Sequence, residues 1–304
     1  MTVPPSGEQF EITYGEQSAT VVEVGGGVRA YRVGRRDVLH PYDVDAMCDG
    51  AHGAPLIPWP NRLADGKYSF ADANLQVALT EPDKHNAIHG FLRWRPWTCA
   101  ERSADRVVMS SRLYPLMGYP FTLDVSVDYR LSDDGLIVAT TATNIGAEAA
   151  PYACGQHPYL SPGAGTIDAC TLQFAADTRI DTDSGRQLPI ETESVSGTRF
   201  DFAKPGQLGE LAIDYAFTDL ARDADGRSWC RLTGQDGRTA EIWIDDTYPY
   251  LELYTADTLS EDRRRRGLGV EPMTAPPNAF ASGTDVASLQ PDESVSNTWG
   301  CRLT

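Results

Sequence analysis

"FTLDVSVDYRLSDDGLIVATTATNIG", residues 121–146, holds two alternating or β-branched runs joined by a short acidic turn. Leu123, Val125, Val127, Tyr129 and Leu131 fall on one face of the first run; Asp124, Ser126, Asp128 and Arg130 fall on the other. Successive side chains of a strand point to opposite faces, so a period of two describes a half-buried strand. Asp134-Gly135 between the runs predicts a hairpin, because glycine reaches the positive φ that tight hairpin turns require.

The same device recurs outward along the chain. "WCRLTGQDGRTAEIWID" (229–245) turns on Asp236-Gly237, and "KYSFADANLQVAL" (67–79) is predicted to turn at Asp72–Asn74. "SATVVEV" and "VRAYRV" flank Gly25-Gly26-Gly27, and "SVSNTWGCRL" (294–303) reads as a final strand. No window carries a sustained apolar stripe at helical spacing with caps. Short turns of helix are expected at most near "PYDVDAMCDG" and "PLMGY". Many strands broken by Gly, Pro and Asp-Gly turns point to an all-β sandwich or barrel. With no internal repeat or low-complexity linker, residues 1–304 are expected to form one domain.

Composition narrows the function. The formal charge of −17 repels phosphate backbones, which disfavours nucleic acid and anionic membranes as partners. No stretch approaches twenty apolar residues, and "MTVPPSGEQFEITYGEQ" lacks a basic start and an apolar run. A cytoplasmic protein, monomeric or homodimeric, is expected. The six cysteines are scattered without a C-x-x-C pair, which reads as reduced thiols. No zinc motif, P-loop, G-x-G-x-x-G or G-x-S-x-G occurs, so no metal or other cofactor is expected.

Chemistry is expected in the irregular segments "GAPLIPWPNRLADG", "HNAIHGFLRWRPW", "YACGQHPYLSPGAG" and "GVEPMTAPPNAF". Loops stiffened by proline suit side chains held over a rigid sheet. Trp59, Trp94, Trp97, Tyr159, Tyr248 and Tyr250 offer flat apolar faces that match those of sugar rings. His157, followed by Pro158, is held in extended backbone and reads either as a general acid or base or as a buried, hydrogen-bonded histidine. Glu271, between Val270 and Pro272, is either desolvated and raised in pKa, held by hydrogen bonds, or an exposed loop residue. Asp214 interrupts an apolar alternation, as a turn acid or a ligand for hydroxyls. His89, Arg93, Asn61 and Arg62 are turn residues, ion-pair members or pocket groups. Arg263–Arg266 reads as a solvated loop, or alternatively an anion clamp.

Taken in order, "PLIPWPNRLADGKYSF", "NAIHGFLRW", "GQHPYL", "DYAFTDL" and "GVEPMTAPPNAF" resemble the aldose 1-epimerase (mutarotase) family over nearly the whole chain. That resemblance implies a large antiparallel β-sandwich, the galactose mutarotase-like supersandwich, and a small-molecule sugar as partner. It implies His157 as general acid and Glu271 as general base, with Asn61, Arg62, His89 and Asp214 holding the sugar. On this reading Glu271 raises the pKa of His157, and the imidazolium lowers that of Glu271. The chain departs from the commonest family pattern at Leu160, Ser161 and Tyr215, and in lacking an acid near the end of the glutamate motif. These departures bear on substrate identity.

Arg93 occupies a place where related hexose-6-phosphate epimerases resemble an anion site. The "PWPNR", "HGFLRW" and "EPMTAPPN" variants also resemble a bacterial branch near mutarotases of sulfoquinovose or other C6-modified sugars. A neutral aldohexose is the first expectation and a C6-anionic sugar the second. A non-catalytic sugar-binding protein of the same fold and a glycoside hydrolase using Asp214 and Glu271 are the readings from other classes.

Overall fold

The computed structural model describes residues 3–304. Its strands form a twelve-stranded and a nine-stranded sheet, with three two-stranded ribbons beside them. Every pairing between named strands is antiparallel. The alternation in residues 121–146 is realised as strands Leu123–Ser132 and Gly135–Asn144, paired along their full length in the nine-stranded sheet. Leu123, Val125, Val127, Tyr129 and Leu131 are all buried in one core cluster. That cluster also takes Tyr31, Val38, Phe217, Leu251, Leu253 and Val270 from the twelve-stranded sheet. The molecule is therefore a sandwich: each sheet buries its apolar face against the other.

Local details differ from the sequence expectation where turn chemistry decides. Ser132 pairs Gly135, so the first hairpin turns on Asp133-Asp134 and Gly135 opens the next strand at φ 96. Phe70 pairs Ala73, which moves the second turn to Ala71-Asp72, one position early. The segments near "PYDVDAMCDG" and "PLMGY" make turns without helix; the short helix Ala279–Ser282 and three 3₁₀ turns lie elsewhere. The irregularity expected around Glu271 also gives way: Leu268–Met273 is a regular strand of the twelve-stranded sheet. No helix among the described residues is long and apolar enough to cross a membrane.

Four neighbouring strands of that sheet position the site: Tyr159–Leu160, Leu268–Met273, Tyr250–Tyr254 and Asp214–Leu220. In "YLELY", Leu251 and Leu253 face the core, so Glu252 and Tyr254 face the opposite way. In "LGVEPM", Leu268 and Val270 face the core and Glu271 faces away. The outer side of these strands is roofed by loops, which is why both glutamates are only 3% exposed.

The loop around residues 49–55 carries one part of this roof through backbone contacts. Gly53 has φ 64, and a Cβ there would lie 1.9 Å from the Val28 carbonyl oxygen. The Gly53 N–H donates to the His157 carbonyl, while the His157 N–H donates to the Ala54 carbonyl. Gly53→Ala is therefore expected to lose about 1–3 kcal/mol from backbone strain alone, before any clash. A thermal or denaturant melt checks this, and an unchanged midpoint would contradict the close approach.

Candidate active site

The register across the four strands builds the floor in two rows. Tyr159 pairs Gly269, Gly269 pairs Tyr254, and Tyr254 pairs Asp214. The next row runs Glu271–Glu252–Ala216. Residues directly opposite in antiparallel strands project on the same face, so each row presents its side chains together. Gly269 leaves a gap in which Tyr159 and Tyr254 sit with ring centroids 6.3 Å apart.

Above this floor lies a cavity of about 180 Å³. Of the residues predicted to act, it brings together all seven: Asn61, Arg62, His89, Arg93, His157, Asp214 and Glu271. His157 Nε2 lies 3.1 Å from Glu271 Oε1, with both residues buried. The second oxygen of Glu271 and Nδ1 of His157 have no hydrogen-bond partner.

Asn61 and His89 hold each other. The His89 N–H donates to the Asn61 carbonyl at 3.0 Å. The Asn61 N–H donates to His89 Nδ1 at 3.1 Å. Both residues adopt positive φ, 52 and 61. Accepting at Nδ1 leaves the ring proton on Nε2, so His89 offers a hydrogen-bond donor from its other nitrogen. This bears on metals, because His89, His157 and Glu271 bring ligand-type atoms within 4.8 Å of one another. A ring that accepts at Nδ1 and carries its proton on Nε2 has no lone pair left for an ion. The donor set suits sugar oxygens better than a cation.

Arg62 is drawn into the site by its neighbours. Its backbone carbonyl accepts from the Asn278 N–H at 2.7 Å. Its Nε and Nη2 donate to Glu81, with the shortest contact 3.0 Å. Asp214 accepts a hydrogen bond from the Gln187 side-chain amide, whose oxygen in turn accepts from Lys84. Arg93 differs from Arg62. It lines the cavity but makes no salt bridge or side-chain hydrogen bond among the described residues.

Burial sets the electrostatics, and it reverses the expected tuning of the acid–base pair. His157 is pulled down to about 3, first by burial and then by the Arg93 charge. Glu271 is pushed well above the usual carboxylate range by burial, then by Glu252 and Asp214, with Arg62 opposing. Desolvation penalises both charged forms more than their mutual attraction restores them. Burial thus favours the neutral pair, Glu271 protonated and His157 neutral, over an ion pair. His89 is likewise lowered, by burial and then by His157, Arg93 and Arg62.

Other sequence expectations are corrected here. Of the six aromatic residues expected to offer sugar-stacking faces, only Tyr159 lines the cavity. Trp59, Trp97, Tyr248 and Tyr250 are buried, and Trp94 is exposed. Tyr254, which the sequence reading passed over, stands opposite Tyr159 instead. Glu252 was also passed over. Its signal was an acid inside the otherwise apolar run "YPYLELY". The arginine run is divided: Arg263 pairs with Asp49 and Arg265 with Asp168 and Asp257, while Arg264 and Arg266 are exposed. Those bridges staple the roof loops together.

Comparison with known proteins agrees with this geometry. The family model for aldose 1-epimerase matches residues 8–300. The uncharacterized Escherichia coli (strain K12) protein YihR is 32% identical over 286 residues, 94% of this chain and 90% of its own. Human galactose mutarotase is 26% identical over 236 residues, 72% of this chain and 66% of its own. A galactose mutarotase-like protein from Clostridium acetobutylicum shares the fold, with a TM-score of 0.86 at 19% identity, covering 100% of this chain and 97% of its own. A sandwich of this topology, matched by the family model along nearly its entire length, places the chain in the aldose 1-epimerase family.

Proposed function

We propose that this protein is a mutarotase that interconverts the α and β anomers of an aldohexose. The observation that carries this reading is the 3.1 Å contact between His157 Nε2 and Glu271 Oε1 on the cavity floor. Mutarotation breaks the bond between C1 and the ring oxygen, turns the C1–C2 bond, and closes the ring on the other face. One group takes the proton of the C1 hydroxyl while another delivers a proton to the ring oxygen. Those two oxygens share one carbon, so the acid and the base must themselves be close neighbours.

Glu271 is the base and His157 the acid in this scheme. The reacting arrangement, carboxylate and imidazolium, holds the same single proton as the neutral pair that burial favours. Crossing the short contact converts one into the other, and no proton need be drawn from solvent. Closure runs the two transfers backwards and restores both groups. His89, with its proton fixed on Nε2, donates to a sugar oxygen. Asn61, Arg62 and Asp214 hold the remaining hydroxyls, with Tyr159 and Tyr254 as apolar walls. The shared core of both sheets supports one domain spanning residues 1–304. We assign it to the cytoplasm, where its six free cysteines stay reduced.

A second substrate class has a specific observation behind it. In a chain with 43 acidic and 26 basic residues, Arg93 is a cavity-lining cation that makes no ion pair among the described residues. A substrate anion, such as a C6 phosphate or sulfonate, would supply a partner.

Glu271→Gln and His157→Asn are each expected to lower turnover by about 10²–10⁴-fold, the usual worth of one acid–base group, while the fold is kept. Exchange between anomers, followed by polarimetry or NMR, is the assay. Sugar binding with no accelerated exchange in the unaltered protein would instead favour a binding role. Glucose, galactose, glucose 6-phosphate and sulfoquinovose separate the substrate classes. Arg93→Ala should impair only the anionic pair, and equal loss on neutral sugars would remove the anion assignment.

Activity should also follow the shared proton. Below the value of about 3 reached by His157, both groups are protonated and the base is lost. Above the raised pKa of Glu271, both are deprotonated and the acid is lost. A plateau that starts near 3 and extends beyond the ordinary carboxylate range is expected, in contrast to an optimum between ordinary carboxylate and imidazole values. A kcat/KM profile distinguishes the two.

A further inference from the structure

Glu252 is not needed for the two proton transfers, yet it is buried beside them. It pairs Glu271 directly across the register between strands 250–254 and 268–273. Both side chains project from the same face into the cavity. One oxygen of each glutamate lacks a hydrogen-bond partner. A mere scaffold carboxyl in so dry a place would be expected to carry its own cation. Arg62, whose charge opposes the upward shift of both glutamates, is already engaged with Glu81.

The groups that face Glu271 come from every element around it. Glu252 lies on the 250–254 strand, Asp214 on the 214–220 strand, and His157 and Tyr159 at the neighbouring strand. Arg62, His89 and Arg93 descend from the roof loops. Among the acids, Glu252 acts on Glu271 more strongly than Asp214 does. Like charges at this separation in a low dielectric disfavour joint ionisation. Glu252 is itself pushed upward by burial and Asp214, so the two glutamates resist losing their protons together.

Resting on the mutarotase reading, we propose that Glu252 is a positioning residue for the acid–base pair, a carboxyl set across the register from Glu271 that retains the proton shared by Glu271 and His157. Without it, Glu271 would give up that proton to solvent at lower pH, and the acid would be lost from the working state.

The test uses ¹³C-glutamate-labelled protein without sugar, followed by NMR across pH, together with the pH profile of anomer exchange. In Glu252→Gln, the Glu271 midpoint should fall by about one pH unit or more, the scale of a close like-charge effect. The alkaline limb of kcat/KM should move the same way by a similar amount. Glu252→Met provides a second uncharged variant of comparable size. An unmoved Glu271 midpoint in either folded variant would overturn the proposal. The unaltered protein gives a further reading: Glu252 and Glu271 should each show the other's step in its own curve, and two independent single-step curves would also overturn it. If the unaltered protein exchanges no sugar anomers, the mutarotase reading fails, while the titration still decides whether Glu252 holds the proton.

Discussion

The site depends on placing two carboxyl groups and a histidine where water solvates them poorly. Glu252, Glu271 and His157 are each 5% exposed or less, and Asp214 stands beside them. Ionising a group there is costly, so charge is replaced by shared protons and hydrogen bonds. The 3.1 Å contact between His157 and Glu271 is the central expression of that constraint. It sets two weakly solvated groups, each able to carry a proton, within reach of one another. A reaction that ends with the catalyst's protonation unchanged suits this arrangement.

Such a contact works only if neither ring nor carboxyl can swing away. Glu271 is fixed by its place in a regular strand. His157, outside a regular strand, is bonded at both backbone groups to residues 53 and 54. Its ring lies nearly parallel to Tyr159, at 5.0 Å and 19°. Tyr159 is in turn stacked on His52 at 3.8 Å and 6°, while its hydroxyl donates to the Gly50 carbonyl. The stretch containing Gly50, His52 and Gly53 thus supports the histidine through the backbone and through a column of rings. Arg263, paired with Asp49, ties that stretch to the loop leading into the Glu271 strand. His157 and Glu271 lie 114 positions apart in sequence (271 − 157) yet are supported by mutually braced elements.

The strand pattern was legible in the sequence because one face of each long strand is wet. Residues 123–132 alternate cleanly for that reason. Residues 250–254 and 268–273 are buried on both faces, so the alternation there is between apolar core and polar cavity. A period of two written in Leu, Glu and Tyr was easily read as an apolar run with one stray acid, and Glu252 was passed over. Glu271 stands out by its apolar and proline neighbours as well as by resemblance to a family motif, but those prolines suggest a loop. The strand accommodates Pro272, opposite Leu251. The reversed pKa tuning lay beyond local sequence altogether, since it depends on how completely distant loops exclude water.

The arginines show why charge counts alone are a poor guide to a cavity. The chain is strongly acidic, yet Arg62 and Arg93 both reach the site. Glu81 engages Arg62 and also accepts from Asn86, so Arg62 is locked in place and partly neutralised. Arg93 has no such partner, and burial lowers its pKa, a sign that its charge is poorly solvated. The two cations therefore have different effects on a ligand. Arg62 offers orientation with little net charge, whereas Arg93, 5.1 Å from the centroid of the Trp94 ring, brings a positive field close to His157 with no carboxylate in contact among the described residues. A neutral hexose would leave that field uncompensated, while an anionic substituent would meet it and relieve its desolvation. On the proposed reading, Arg93 and its surroundings bear on the choice between these substrates more than the His157–Glu271 contact does.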